Sequence, residues 1–158
     1  MASRSYQSTL TAADVTRGVC RMFANREYAC MAEFPLANGR RADVAALGPK
    51  AEMALVEIKI SVADYLNDKK WPDYFEYADQ LFFAVPHGFP LELFDRDAAL
   101  PDRIGLMVTD GHEVAILREA PVFPLAPARR KAVTLSFARR AADRLLYQLD
   151  PQAWNGVR

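Results

Sequence analysis

Residues 41–60 read RADVAALGPKAEMALVEIKI, two short apolar runs on either side of Gly48-Pro49. The second run, Met53–Ile60, is apolar, β-branched and long enough for a central strand. Side chains alternate across a strand, so Val56, Ile58 and Ile60 face one way while Leu55, Glu57 and Lys59 face the other. Glu57 and Lys59 in such a strand cost desolvation unless they pair or bind something charged. Composition alone supplies about 0.6 acid-x-Lys matches, so the spacing by itself does not decide. Asp68-x-Lys70 is a second match, in a stretch that reads as a solvated polar helix. The first run adds Asp43 among Ala42, Val44, Ala45 and Ala46. If the two strands are adjacent and antiparallel, Asp43 approaches Glu57. Two close carboxylates repel and raise each other's pKa, a conflict that a divalent cation between them resolves. The bland alternatives are a Glu57–Lys59 ion pair at the strand end, and Asp43 paired with Arg40 or Arg41.

Outward from these runs the chain reads as alternating elements. Thr11 and Asp14 form a capping pattern before Val15, Val19, Met22 and Phe23, predicting a helix over about 11–27. Tyr28–Leu36 turns β-like, and Asn38-Gly39 signals a hairpin into Arg41–Leu47. Ser61 and Asp64 cap a polar helix running toward Lys70, where Pro72 interrupts or restarts it. QLFFAV (Gln80–Val85) predicts another buried strand. Gly105–Thr109 and Glu113–Leu117 predict a hairpin through Asp110-Gly111. Arg129–Leu149 predicts a C-terminal helix with Val133, Phe137, Ala141, Leu145 and Leu149 on its apolar stripe. The fold class is α/β, with a mixed central sheet flanked by helices. No repeat or linker divides the chain, so residues 1–158 are read as one domain.

Composition narrows the function classes. The 158 residues are 51 % hydrophobic and 25 % charged, the balance of a soluble globular domain. No apolar run approaches membrane-span length and no signal peptide is evident, so a cytoplasmic location is expected, with no membrane partner. Two cysteines and two histidines give neither a disulfide framework nor a zinc site. Net charge is zero but unevenly spread. Residues 1–59 carry eight Lys and Arg against six Asp and Glu, residues 60–126 five against twelve, and residues 127–158 seven against two. A basic segment in a neutral chain still presents a local positive field to a phosphate backbone.

Oxygen donors without histidine suit Mg²⁺, or Mn²⁺, rather than zinc. A lysine one strand period beyond the carboxylate faces the same cation, where it holds a phosphate oxygen or orients a water. Carboxylate, carboxylate and lysine are parts suited to phosphodiester hydrolysis. Asp43 followed by Glu57-Ile58-Lys59, on a helix–three strands–helix–strand order, resembles the PD-(D/E)XK nuclease superfamily. GRRADVAAL, VEIK, the stretch Asp68–Tyr74 and ADQLFFAVP in that order resemble, more narrowly, the MmcB family of bacterial DNA-repair proteins regarded as endonucleases. The likeness spans roughly residues 10–120. It implies a restriction-endonuclease-like core, Mg²⁺-dependent cutting of DNA, Asp43 and Glu57 as metal-binding acids and Lys59 as catalytic lysine. It also implies a further acid, Glu33 first and Glu27 second. Ala42 stands where the superfamily often has proline, and Ile60 where a small polar residue is expected.

Lys69, Lys70 and Arg41 are the candidate nucleic-acid contacts, and Gln80 a further residue near the site. Trp71, Tyr74 and Tyr77 either pack onto the sheet or stack on bases. The competing function is a catalytically silent module of the same fold that binds DNA or a repair partner.

Overall fold

The computed structural model describes residues 6, 8–96 and 102–153. Helix α1 (Ala12–Ala24) starts at Thr11, whose hydroxyl accepts from the Asp14 N–H while Asp14 returns the bond to the Thr11 backbone. Strands β1 (Ala29–Pro35) and β2 (Arg41–Leu47) form the expected hairpin. Gly39, with φ 85°, supplies the left-handed turn residue. Strand β3 (Met53–Ile58), helix α2 (Val62–Asn67), a 3₁₀ segment (Trp71–Tyr77) and β4 (Gln80–Pro86) follow. A 3₁₀ turn at Leu91–Asp95, absent from the sequence reading, precedes β5 (Gly105–Thr109) and β6 (Val114–Arg118). Helix α3 spans Pro127–Leu149 and a last 3₁₀ turn Pro151–Ala153.

The six strands lie in chain order in one sheet. β3–β4 and β4–β5 are parallel and the other neighbours antiparallel, so the sheet is mixed. Each face carries its own core. Val15, Val19 and Phe23 of α1 cover Val44, Ala46, Val56, Phe82 and Met107 on one face. Gly18 lets α1 approach β5, since a Cβ there would sit 2.8 Å from the Thr109 hydroxyl. On the other face Phe34, Leu55, Leu81 and Phe83 pack with Tyr74, Phe94, Val133 and Phe137.

Besides a register shift between β5 and β6 at Leu106/Met107, strict alternation fails beside the predicted site. Met31 and Phe34 share a core although they are three residues apart, as do Ala42 and Ala45. Between them Glu33 takes φ 52°, and the β1–β2 ladder passes from Ala32↔Val44 to Phe34↔Ala42 without pairing Glu33 with Asp43. Arg144 of α3 donates to the Ala32 and Glu33 carbonyls and braces this irregularity.

The α3 stripe is corrected. Val133 and Phe137 are buried, but Leu145 is 58 % and Leu149 76 % exposed. The buried apolar positions of α3 lie in its first half, and the second half reaches the sheet through Arg144 on the Ala32 and Glu33 carbonyls.

Candidate active site

The ladder between β2 and β3 ends at Val44↔Val56, and the strands part just where Asp43 and Glu57 would pair next. Their side chains replace the missing backbone bonds. The Asp43 N–H donates to Glu57 Oε1 at 3.2 Å, and the Ile58 N–H donates to Asp43 Oδ2 at 2.7 Å. One oxygen of each carboxylate is thereby fixed. Among the described residues the other oxygens, Asp43 Oδ1 and Glu57 Oε2, accept no hydrogen bond, and neither is a buried atom lacking a partner.

Both acids border a cleft of about 880 Å³. Its walls come from the first turns of α1 (Ala12, Ala13, Thr16, Arg17), from β1 and β2, and from the α2 segment. Burial raises the Asp43 carboxyl above its usual range, and the Ile58 N–H, then the Lys59 and Arg41 charges, only partly offset that. Burial, then the Asp43 charge, pushes Glu57 up to about 8. Tyr74, whose hydroxyl donates to the Arg41 carbonyl at 3.3 Å, is raised by burial and by the same two carboxylates. Burial is thus the first cause of all three shifts, with the carboxylate charges adding to it at Glu57 and Tyr74.

Lys59 enters from the end of β3, its N–H donating to the Ala84 carbonyl at 3.0 Å. Its ammonium lies 2.7 Å from Asp68 Oδ2 and 4.0 Å from Asp64 Oδ1. The Lys59 and Asp68 side chains are each 7 % exposed. Here the sequence reading is corrected: Asp68 is not a solvated helix residue. It closes α2, takes the Lys70 N–H at 2.7 Å and turns inward onto Lys59. Burial pushes its carboxyl up, but the bonds from Lys59 and Lys70 outweigh that and hold it below its ordinary range. Ser61 with Asp64 marks where α2 starts, but no local signal marks its early end at Asn67, which places Asp68 at the C-cap.

The remaining candidates divide. Glu33 and Arg41 line the cleft rim, 3.8 Å apart, with Glu33 69 % exposed. Glu27 lies in the turn after α1, about 20 Å along the helix from the end that lines the cleft. Lys70 lines the cleft; Lys69 is exposed and outside the lining. Gln80 is at the wrong end of β4, aligned with Ala54 rather than Glu57, and its amide donates to the Ala120 carbonyl. Tyr74 and Tyr77 are buried, and Trp71 packs edge-on to Phe75, so these rings serve the core, Tyr74 also lining the cleft. Arg17 and Asp68 are cleft residues the sequence reading missed.

A family model described as DNA repair protein MmcB-like matches residues 2–152. The chain belongs to the MmcB-like family. A solved structure, the SPO1766 protein of unknown function from Silicibacter pomeroyi, is similar at 39 % identity and a TM-score of 0.83, covering 96 % of this chain and 100 % of that one. No curated protein matches. Family membership ties this MmcB-like chain to DNA repair, and no helix among the described residues is long and apolar enough to cross a membrane.

The cleft's donors fit a hard divalent cation. They are carboxylate oxygens, half-fixed by backbone N–H groups, with mutual repulsion that a cation relieves. Among the described residues no group of three or more His, Cys, Asp or Glu side chains gathers to cage a metal. Two protein carboxylates with the other positions left to water and phosphate oxygens is the usual mode for Mg²⁺.

Proposed function

We propose that this MmcB-like protein is a divalent-cation-dependent endonuclease that hydrolyses DNA phosphodiester bonds. One observation carries the reading: a carboxylate pair bridged strand to strand shares a cleft with a buried, oriented lysine. The DNA-repair family and the resemblance to PD-(D/E)XK nucleases support the substrate class.

Asp43 and Glu57 would hold Mg²⁺ or Mn²⁺, with Glu33 at the rim as the nearest third carboxylate on β1. When bound, the cation supplies Lewis-acid polarisation of the scissile phosphate. Glu57, raised to about 8, sheds its proton on binding a cation, so loading releases protons. Lys59 presents an ammonium that neutralises a phosphate oxygen or orients the attacking water. Asp68 positions that ammonium. Arg17, Arg41 and Lys70 line the cleft and meet flanking phosphates, with exposed Lys69 beside them.

The second reading is a silent module that binds DNA or a repair partner, favoured by the 2.7 Å pairing that already occupies Lys59. Incubation with labelled single-stranded, duplex, flap and junction DNA in Mg²⁺, Mn²⁺ or EDTA separates the two. Metal-dependent cutting of any substrate supports the nuclease. Binding without cutting in either metal supports the module.

A further inference from the structure

The chain's two cysteines lie outside the nuclease reading. The fold brings them together where α1 packs on β1: Cys30 Sγ is 3.8 Å from the Cys20 carbonyl oxygen, and both residues are half-buried. Each belongs to an element that continues to the cleft. Cys20 shares a helical stripe with Thr16 and Ala13, and Cys30 shares a strand face with Ala32. Thr16, Ala13 and Ala32 all line the cleft.

We propose that Cys20 and Cys30 are a reversible dithiol–disulfide pair that ties α1 to β1 when the chain meets a peroxide. The Cys30 thiol donates to the backbone carbonyl of Cys20 itself, which sets its sulfur beside that residue. Contact with Cys30 holds the Cys20 thiol below its ordinary range, while contact with Cys20, then burial, pushes Cys30 up. Either thiol can attack while the other resolves. In one order the Cys20 thiolate attacks a peroxide oxygen, the O–O bond breaks, and Cys20 becomes a sulfenic acid as hydroxide leaves. The Cys30 sulfur then attacks the Cys20 sulfur. The S–S bond forms, and the sulfenic hydroxyl leaves with the Cys30 proton as water. Two thiols are oxidised and one peroxide is reduced to two waters. The bond would join the helix and strand that form one wall of the cleft, and a dithiol reductant reverses it.

The test uses the full, folded chain treated with hydrogen peroxide, acid-quenched and alkylated. The expected result is loss of both titratable thiols, a mass about 2 Da lower, a single-chain band on a non-reducing gel, and recovery with dithiothreitol. Peptide mapping should join the Cys20 and Cys30 peptides. In Cys30→Ser and in Cys20→Ser, the remaining thiol should stop at a sulfenic acid trapped by dimedone. Retention of both thiols in the native wild-type chain, or disulfides formed only between chains, overturns the proposal.

Discussion

Asp43 and Glu57 each hold the other's strand: Glu57 Oε1 takes the Asp43 N–H, and Asp43 Oδ2 takes the Ile58 N–H. The backbone ladder ends one residue earlier, so the two acids both close the sheet and open the cleft. Burial and closeness make it costly to ionise both carboxyls in an empty site, and a bound cation offsets that cost.

That cost makes stability depend on pH. Burial first, and Asp43 second, raise the Glu57 carboxyl from 4.5 to about 8. Between those values the folded chain keeps a proton that the unfolded chain has released. Its stabilising effect is complete below about 4.5 and is lost as pH rises through about 8. Metal-free protein should therefore lose on the order of a few kcal/mol between about pH 5 and pH 8.5. Glu57→Gln should flatten the curve in urea titrations, and Mn²⁺ should restore wild-type but not variant stability at the higher pH. Parallel curves for the two proteins would contradict the assignment.

Lys59 and Asp68 should behave as a unit. Removing either strips a buried charge of its closest partner, leaving Lys59 only the more distant Asp64 or Asp68 only the Lys70 N–H, so Lys59→Met or Asp68→Asn alone should cost about 2 kcal/mol. The double variant should recover much of this, a coupling readable from a double-mutant cycle. For cleavage the two differ: Lys59→Met abolishes it, while Asp68→Asn slows the single-turnover rate without changing DNA affinity. Additive stabilities would show that the 2.7 Å contact carries no coupling.

Arg130 belongs to the scaffold. It forks onto Asp79 with two 2.7 Å bonds, and Asp79 also accepts from the Met53 and Leu125 N–H groups. Arg130→Met should lower stability by about 3 kcal/mol while leaving the salt dependence of DNA binding unchanged. A reduced salt slope would instead make Arg130 a phosphate contact.

Phosphate contacts are expected from the cleft rim. Arg17→Ala, Arg41→Ala and Lys70→Ala should each reduce the slope of log K against log salt by roughly 1, with little effect on stability. Unchanged slopes in all three would move the DNA path elsewhere.

Much of this was legible in the chain. Asn38-Gly39 marked the hairpin, Thr11 with Asp14 the first helix, and the β-branched run at Met53 the central strand, because each is a local signal. Asp43 and Glu57 came together through antiparallel register alone. What stayed hidden depends on departures from local rules. Period-two reasoning fails where Glu33 takes a positive φ, and a helix that stops at Asn67 buries an Asp68 that composition assigns to solvent. The apolar stripe of α3 outruns the surface that covers it, which no periodicity reveals.

The most direct test is single-turnover cleavage of labelled DNA by wild-type protein, Asp43→Asn and Lys59→Met, each verified as folded, in Mg²⁺, Mn²⁺ and EDTA. The account predicts metal-dependent cutting by wild type, none in EDTA, and a loss of at least 10²-fold in either variant, the scale of one lost transition-state contact. Equal rates in wild type and variants, or no cutting of any DNA by folded, metal-loaded wild type, would contradict it.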